Sequence, residues 1–275
     1  MLREKIKNWK MELAAVLVFV LVLGMTGLSG SVKAADQTDL KTIDIMFVHD
    51  THSHLNSFST VVDEKQEMIG GFARIKTLID EQKEKDPDTL VVDGGDFSMG
   101  TLVQTVFETQ AAEIRMLGAL GCEATTLGNH EFDYGMDRAK MVLKEADFPY
   151  VSCNWIDLRS GLRVLPSIKL FNIKGVFVAF VGITTPETFT KSTPAYFMNA
   201  KQTKYIYDIL GGDDGRKLYD AVQKGIDKAK ALGADVIIGL GHLGVDPSSS
   251  PWTSEEVIAN TTGFDAFIDG HSHTV

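Results

Sequence analysis

The chain has 275 residues, of which 44% are hydrophobic, and a formal net charge of −10 at pH 7. This length is ample to bury a core, while the negative charge argues against a groove for the backbone of a nucleic acid. Two cysteines, Cys122 and Cys153, are too few for a disulfide framework, and we expect two buried free thiols.

The first 34 residues have the pattern of an export signal. Four basic residues in the first ten positions precede an apolar run at 13–23, and small residues then lead to Ala34, after which we predict cleavage. An uncleaved membrane anchor is the alternative, but the run is short for a span, which needs about 20 residues. We therefore predict a secreted or extracytoplasmic protein (periplasm or cell wall), with no stable membrane span after cleavage.

Cleavage would leave residues 35–275, with 22 basic and 35 acidic residues and a net charge of −13. This part of the sequence has no evident linker or internal repeat, so we predict a single domain. A small anionic substrate remains compatible with such a charge if metal cations lie in the site.

Short apolar or β-branched runs alternate with helical patterns along this domain. We predict strands at 43–48, 90–92, 124–127, 150–152, 167–173, 176–183, 236–240 and 264–268. We predict helices at 72–85, 105–120, 136–146 and 217–232. The alternation predicts an α/β fold with a mostly parallel sheet covered on both sides, and a Lys174-Gly175 turn adds an antiparallel hairpin.

Residues able to bind metal follow these strands one after another. The carboxyl ends of parallel strands share one edge, where ligands bind, so residues distant in sequence should converge there. Carboxylate, imidazole and amide oxygen together suit zinc, manganese or iron, and the set is too large for one closed tetrahedral site but fits two open ones. The residues are Asp50, His52, Asp96, Asn129, His130, His242, His271 and His273.

Each of these short motifs is weak on its own. Asp93 in "DGGD" is predicted to serve the turn, and His242 alone would more often be a structural histidine. His49 and His54 are predicted to pack at the strand end or to support ligands. The joint occurrence of the motifs, each at a strand end, favours a functional site.

The ordered set D-x-H, G-D, G-N-H-E, G-H and G-H-x-H resembles the calcineurin-like metallophosphoesterase superfamily. The stretches "GNHEFDYG", "VGITTPET" and "DGHSHT" are similar to its secreted bacterial 5'-nucleotidase branch, which includes UDP-sugar hydrolases and 2',3'-cyclic-nucleotide phosphodiesterases. The resemblance covers residues 43–275. It implies an αββα sandwich with a mostly parallel sheet and some antiparallel strands.

The resemblance also implies a site for two divalent ions. His273 stands where some relatives have glutamine, which leaves the metal preference of the first site open. One ion would be held by Asp50, His52 and His273, the other by Asn129, His242 and His271, with Asp96 bridging the two.

By the same resemblance His130 is not a ligand but contacts the phosphate and stabilises the transition state or leaving group. Asp133 would orient it, since a carboxylate bonded to imidazole fixes its tautomer and raises its basicity. Glu131 either supports the ligands or begins the next helix. A metal-bound hydroxide would attack the phosphate in line, without a covalent phosphoenzyme.

The resemblance predicts an exported dinuclear-metal phosphoesterase that hydrolyses nucleotides, of the 5'-nucleotidase type, and does not predict its oligomeric state. A 2',3'-cyclic-nucleotide or broader phosphodiesterase is the first alternative, and a catalytically inactive, metal-dependent surface binding protein is the second. A thiosulfate-ester hydrolase on the same scaffold is less favoured.

The nucleotidase branch has a second, C-terminal domain that binds the nucleoside. The sequence stops two residues after His273. We therefore expect residues 35–275 to be a catalytic domain that is incomplete at its C-terminus and lacks the nucleotide-binding domain.

Overall fold

The computed structural model describes residues 40–274, so the predicted signal, residues 1–34, lies outside the described residues. The strands are β1 Ile45–Val48, β2 Phe58–Val62, β3 Lys65–Ile69, β4 Leu90–Asp93, β5 Ala124–Thr125, β6 Trp155–Asp157, β7 Leu162–Arg163, β8 Ile168–Ile173, β9 Val176–Thr184, β10 Tyr207–Ile209, β11 Val236–His242 and β12 Ala266–Asp269. The α-helices are α1 Phe72–Lys85, α2 Phe107–Gln110, α3 Ala112–Leu120, α4 Met136–Val142, α5 Thr188–Lys191, α6 Arg216–Ala231 and α7 Ser254–Ala259.

Two sheets carry the fold. The first has the order β1-β4-β5 and is parallel throughout. The second has the order β12-β11-β9-β8, in which β12, β11 and β9 are parallel and β8 is antiparallel to β9. Two antiparallel sections, β10-β6-β7 and the hairpin β2-β3, are added to them.

Alternating side chains of the central strands explain the layers. Because successive residues of a strand point to opposite faces, Leu90 and Val92 of β4 pack with Val178 and Phe180 of β9 in a core between the two sheets. Val91 of β4 instead belongs to the core that includes residues of α1, α3 and α4. The first sheet is therefore covered by helices on one face and by the second sheet on the other.

The second sheet repeats this arrangement. Ala179 and Val181 of β9 share a core with Leu218 and Val222 of α6 and Val257 of α7. The order helices, sheet, sheet, helices confirms the predicted αββα sandwich with mostly parallel and some antiparallel strands.

The predicted helix at 105–120 is wrong as one continuous element. A 3₁₀ turn at Leu102–Val106 leads into the short α2, and Ala111, with φ 47°, separates α2 from α3. A left-handed residue cannot continue a right-handed helix, so α2 and α3 are separate helices. Apolar spacing on both sides does not report such a single-residue break. The other predicted helices are present, with 136–146 ending in a 3₁₀ turn.

The predicted strand at 150–152 is replaced by a single parallel bridge between Tyr150 and Thr125. The segment passes from one sheet to the other: Val151 N donates to Thr125 O at 2.9 Å, and Cys153 N donates to Gly182 O at 2.8 Å. It forms no regular ladder because its bonds are divided between two sheets. Gly182 is needed here, since a Cβ would lie 2.1 Å from Val151 O.

The sequence did not predict the hairpin β2-β3 or the short strands β6, β7 and β10. Cys122 and Cys153 are free and buried, as predicted. Between residues 40 and 274, none of the helices is both long and apolar enough to cross a membrane.

Phe180 tests the core between the sheets. Its side chain is fully buried and packs edge-on against Phe171, with ring centroids 5.9 Å apart. We expect Phe180→Ala to lower the free energy of unfolding by about 3–5 kcal/mol, because it removes buried apolar surface and leaves a cavity between the two sheets. Urea denaturation followed by circular dichroism measures this.

Phe177→Ala is the matched control on the same strand, since Phe177 is 40% exposed. It should lower the free energy of unfolding by much less. Equal losses for the two variants would contradict a core between the sheets.

Candidate metal centre

The carboxyl ends of both sheets meet at the candidate site. Asp50 follows β1 by two residues, Asp96 follows β4 by three, and Asn129 follows β5 by four. From the second sheet, His242 is the last residue of β11 and His271 follows β12 by two. The sequence prediction placed these residues on the edge of one sheet, whereas the structure draws them from two.

Five of the expected ligands have a strained backbone. Non-glycine residues seldom adopt positive φ, and such strain clusters at functional sites. The φ values are 48° at Asp50, 44° at His52, 51° at Asp96, 83° at His271 and 52° at His273.

A first group joins Asp50, His52 and His273 and could hold a metal ion. The two imidazole Nε2 atoms are 3.0 Å apart, and Asp50 Oδ1 lies 3.3 Å from His273 Nε2 and 3.8 Å from His52 Nε2. Three donor atoms thus converge on one point, as a divalent ion requires. His273 is the most exposed of them, with 58% of its side chain accessible.

A second group joins Asp96, His242 and His271. His242 Nε2 lies 3.0 Å from Asp96 Oδ2 and 3.2 Å from His271 Nδ1. It also lies 3.9 Å from Asp50 Oδ1. The two groups are therefore adjacent and are linked through the carboxylates of the first sheet.

Two buried oxygen atoms indicate that a cation fits. Asp50 Oδ1 and Asn129 Oδ1 accept no hydrogen bond from any residue between 40 and 274, although both are buried. An unpaired buried oxygen is costly, and both atoms belong to residues expected to bind metal. The donor set of carboxylate, imidazole and amide oxygen suits zinc, manganese or iron.

Backbone carbonyl groups fix two of the histidines. His52 Nδ1 lies 2.8 Å from Met99 O, and His242 Nδ1 lies 2.8 Å from Gly94 O. Since a carbonyl oxygen only accepts, each Nδ1 carries a proton, and each Nε2 is the atom that would bind a metal ion. No side-chain pattern in the sequence signals these backbone partners.

The buried carboxylates of the site raise the proton affinity of His242. Burial lowers the pKa of His242, but Asp96 and Asp50 outweigh it and raise this pKa to about 10. Burial raises the pKa of Asp96, yet His242 holds it well below its usual range. Burial and the charge on His242 lower the pKa of His271. The buried carboxylates therefore favour a positive charge between them.

Glu131 supports the ligand loops. Its buried carboxylate accepts the N–H groups of Asp96 at 2.9 Å and Gly128 at 2.7 Å through Oε2. Through Oε1 it accepts both the N–H and the hydroxyl of Ser98 at 3.2 Å. Both roles left open by the sequence are seen, because Glu131 also lies in the first turn of the 3₁₀ helix His130–Phe132.

Asp93 and His49 make contacts of the kind predicted for them, whereas His54 neither packs at the strand end nor supports a ligand. Asp93 Oδ1 accepts from Gly95 N at 2.9 Å, which is the turn contact predicted for it, and burial raises its pKa to about 7. His49 Nδ1 contacts Asp50 Oδ2 at 2.7 Å, so it supports a ligand. His54 is exposed and contacts Thr51 O at 3.3 Å.

His130 lies beside the two groups. Its Nδ1 contacts Asp133 Oδ2 at 2.6 Å, and its backbone N–H donates to Asp96 Oδ1 at 2.8 Å. The bond to Asp133 raises the pKa of His130, which favours the charged imidazolium. Geometry alone also groups His130 with His52 and Asp96 as a third possible metal site.

Glycines allow the ligand loops to approach. A Cβ on Gly128 would lie 2.1 Å from Asp96 Oδ1, and one on Gly270 would lie 2.7 Å from Asp50 Oδ2. These positions explain the glycine that precedes each of the motifs "NHE" and "HSH".

The sequence analysis missed Glu187. It follows β9 and its Oε2 lies 2.7 Å from His271 Nε2. The signal was present, because Glu187 is the acidic residue of "VGITTPET" and comes after a strand that supplies no expected ligand.

Comparison with known proteins agrees with this geometry. A family model described as calcineurin-like phosphoesterase matches residues 43–275. The chain is 29% identical to the trifunctional nucleotide phosphoesterase protein YfkN of Bacillus subtilis over 284 residues, which cover 95% of this chain and 18% of that protein. It is 31% identical to 5'-nucleotidase of Bos taurus over 241 residues, covering 84% and 38%.

The crystal structure of calcineurin-like phosphoesterase YfkN from Bacillus subtilis matches with a TM-score of 0.68 at 28% identity, covering 84% of this chain and 72% of that one. The chain spans less than two fifths of the length of either curated relative.

Glu131 offers a test of how the ligand loops are held. Glu131→Ala removes the acceptor from four buried donors, and leaving such groups unpaired costs about 1–3 kcal/mol each. We expect the free energy of unfolding to fall by at least about 3 kcal/mol, measured by urea denaturation in the presence of chelator so that metal binding does not contribute.

Glu145→Ala is the matched control, because the carboxylate of Glu145 is exposed and meets Arg115 at 3.2 Å. It should change stability by no more than about 0.5 kcal/mol. A Glu131→Ala protein as stable as this control would disprove the supporting role.

Proposed function

The chain belongs to the calcineurin-like phosphoesterase family, and from that membership we propose that it is an exported metal-dependent phosphoric ester hydrolase acting on nucleotides, of the 5'-nucleotidase kind. The observation that carries the proposal is the pair of adjacent three-residue groups at the carboxyl ends of the two sheets. Two ions held side by side can clamp the attacking and leaving oxygens of phosphoryl transfer.

We assign the ligands as the sequence analysis expected. When bound, the two ions would supply electrophilic charge and an activated water. Each expected ligand lies at the end of a strand or in the loop that follows it, which supports the assignment. The first ion is assigned to Asp50, His52 and His273, the second to Asn129, His242 and His271, and the bridge to Asp96.

His130 is assigned to the substrate rather than to the metal. Because Nδ1 is engaged by Asp133 at 2.6 Å, Nε2 is the atom left to face a phosphate or its leaving oxygen. Asp133 holds the ring in one orientation and favours the imidazolium. The side chain of His130 is 31% accessible, so a substrate can reach it.

The proposed reaction is a direct hydrolysis. The oxygen of water forms a bond to phosphorus while the bond between phosphorus and the nucleoside oxygen breaks. The departing alkoxide takes a proton from His130 Nε2, and the water loses one to solvent. No residue of this chain forms a bond to phosphorus.

Hydrolysis of 2',3'-cyclic nucleotides or of phosphodiesters in general is a second candidate. The relatives named above include a trifunctional nucleotide phosphoesterase as well as a 5'-nucleotidase, which supports this alternative. An inactive metal-binding surface protein is a third. The intact set of ligands and the close His130–Asp133 contact weigh against it.

The export part of the proposal rests on residues 1–34. Their basic start, apolar run and small residues before Ala34 are typical of a cleaved signal. We propose a location outside the cytoplasm, where the protein would meet small nucleotides as substrates.

Metal removal is the first test of the function. We expect bound metal near two ions per chain by mass spectrometry, and hydrolysis of AMP that is lost with chelator and restored by manganese or zinc. Rates on 2',3'-cyclic AMP and bis(p-nitrophenyl) phosphate distinguish the alternatives. Bound metal without hydrolysis of any of the three would reject the enzyme and favour the binding protein.

His130→Ala tests the catalytic assignment. Loss of a group that neutralises charge in the transition state should lower kcat by about 10²–10³-fold, while the metal content stays at the wild-type value. Steady-state kinetics and metal analysis of the same preparation measure both.

His54→Ala is the control, since His54 is an exposed histidine in the loop after β1 that also carries His52. It should leave kcat unchanged. Loss of a metal ion in the His130→Ala protein would instead identify His130 as a ligand.

A further inference from the structure

Glu187 reaches the metal centre from a strand that supplies no expected ligand. It lies three residues after β9, whose last residue, Thr184, pairs in parallel register with His242. The carboxyl end of β9 therefore lies beside that of β11. Backbone N–H groups of Thr190 and Lys191 donate to Glu187 O at 2.8 Å, which fixes the turn that carries the carboxylate.

The carboxylate of Glu187 has two partners. Its Oε2 lies 2.7 Å from His271 Nε2 and accepts the hydroxyl of Ser249 at 2.8 Å. Glu187 and His271 are each about nine-tenths buried in their side chains. A buried carboxylate held between two donors is fixed in position and keeps its partner fixed as well.

This contact decides which nitrogen of His271 faces the centre. A carboxylate accepts, so Nε2 carries the proton that is donated to Glu187, and Nδ1 keeps its lone pair. Nδ1 lies 3.2 Å from His242 Nε2, on the side of the second metal group. His52 and His242 have the opposite arrangement, with Nδ1 bonded to a backbone carbonyl.

Ser249 extends the contact to a third loop. It lies in the 3₁₀ turn Pro247–Ser249 that follows β11, where Asp246 accepts from Ser248 N at 2.8 Å. The loops after β9, β11 and β12 are thus joined through one carboxylate. A ligand held by a carboxylate is also more basic than one held by a carbonyl.

We propose that Glu187 is a positioning residue of the second metal site, which holds His271 so that Nδ1 is its metal-binding atom. The inference rests on the proposed metal centre, and not on the substrate or the reaction. Partners of this kind change metal affinity by about 10–100-fold when they are removed.

Metal affinity gives the first readout. Calorimetric titration of the metal-free full chain with Mn²⁺ should resolve two binding steps. We expect Glu187→Ala to weaken one step by about 10–100-fold and to leave the other within about twofold. Glu187→Gln keeps an acceptor for the Nε2 proton and should recover most of the loss.

Two controls separate positioning from folding. Glu255→Ala removes an exposed carboxylate from α7 and should bind both ions as the wild type does. Thermal unfolding of Glu187→Ala in the presence of chelator should still show a single cooperative transition. Equal weakening of both steps, or loss of the fold, would mean that Glu187 is merely structural and would overturn the proposal.

The tautomer gives a readout that needs no metal. Long-range ¹H–¹⁵N correlation spectra of the metal-free protein should show His271 protonated at Nε2 in the wild type and in Glu187→Gln. Glu187→Ala should show a mixture of tautomers. An unchanged His271 spectrum in Glu187→Ala would contradict the proposal.

These measurements use no phosphate ester. A protein that binds two ions in this way but hydrolyses nothing would reject the proposed activity and leave the role of Glu187 standing. Wild-type and Glu187→Ala proteins with the same two affinities would reject the role of Glu187 alone.

Discussion

The contact between Asp96 and His242 is the interaction on which the rest of the site depends. It joins a carboxylate after the first sheet to an imidazole at the end of the second, with Nε2 and Oδ2 3.0 Å apart and both side chains buried. A buried charge is tolerated only when it is paired and hydrogen-bonded. The two sheets must therefore meet with their carboxyl ends aligned, and Gly94 O, which binds Nδ1 of the same ring, reinforces that alignment.

Backbone strain at the ligands is supported by bonds between neighbouring loops. Asp50 N donates to Gly95 O and His52 N to Asp96 O, each at 3.0 Å, and His271 N donates to Asp50 Oδ2 at 2.9 Å. Each of these bonds holds a residue with positive φ. Strain of this kind persists only where the surroundings over-determine the conformation, and these bonds supply that support.

The αββα layers were expected only from the resemblance to a family. The sequence pattern itself was sufficient for most strands and for the list of chemical groups, because alternating apolar residues mark strands and polar residues mark their carboxyl ends. It could not show that Asp96 and His242 come from different sheets, since periodicity within a strand says nothing about which strands pair. The left-handed Ala111 and the divided bonding of Val151 were equally hidden. Both arise from long-range packing, which overrides local preference.

Some of the expected histidine ligands are held by backbone carbonyl groups and one is held by a side chain. His52 and His242 lie near strand ends, where carbonyl groups are close enough to bind Nδ1. His271 lies in a loop beyond β12 and meets the carboxylate of Glu187 instead. A side chain can be substituted without moving the backbone, so Glu187 is a position at which substitution would alter the support of His271 alone. In the first group, the side chain of His49 supports Asp50 in the same way, while the partner of His52 is a main-chain oxygen that no substitution removes.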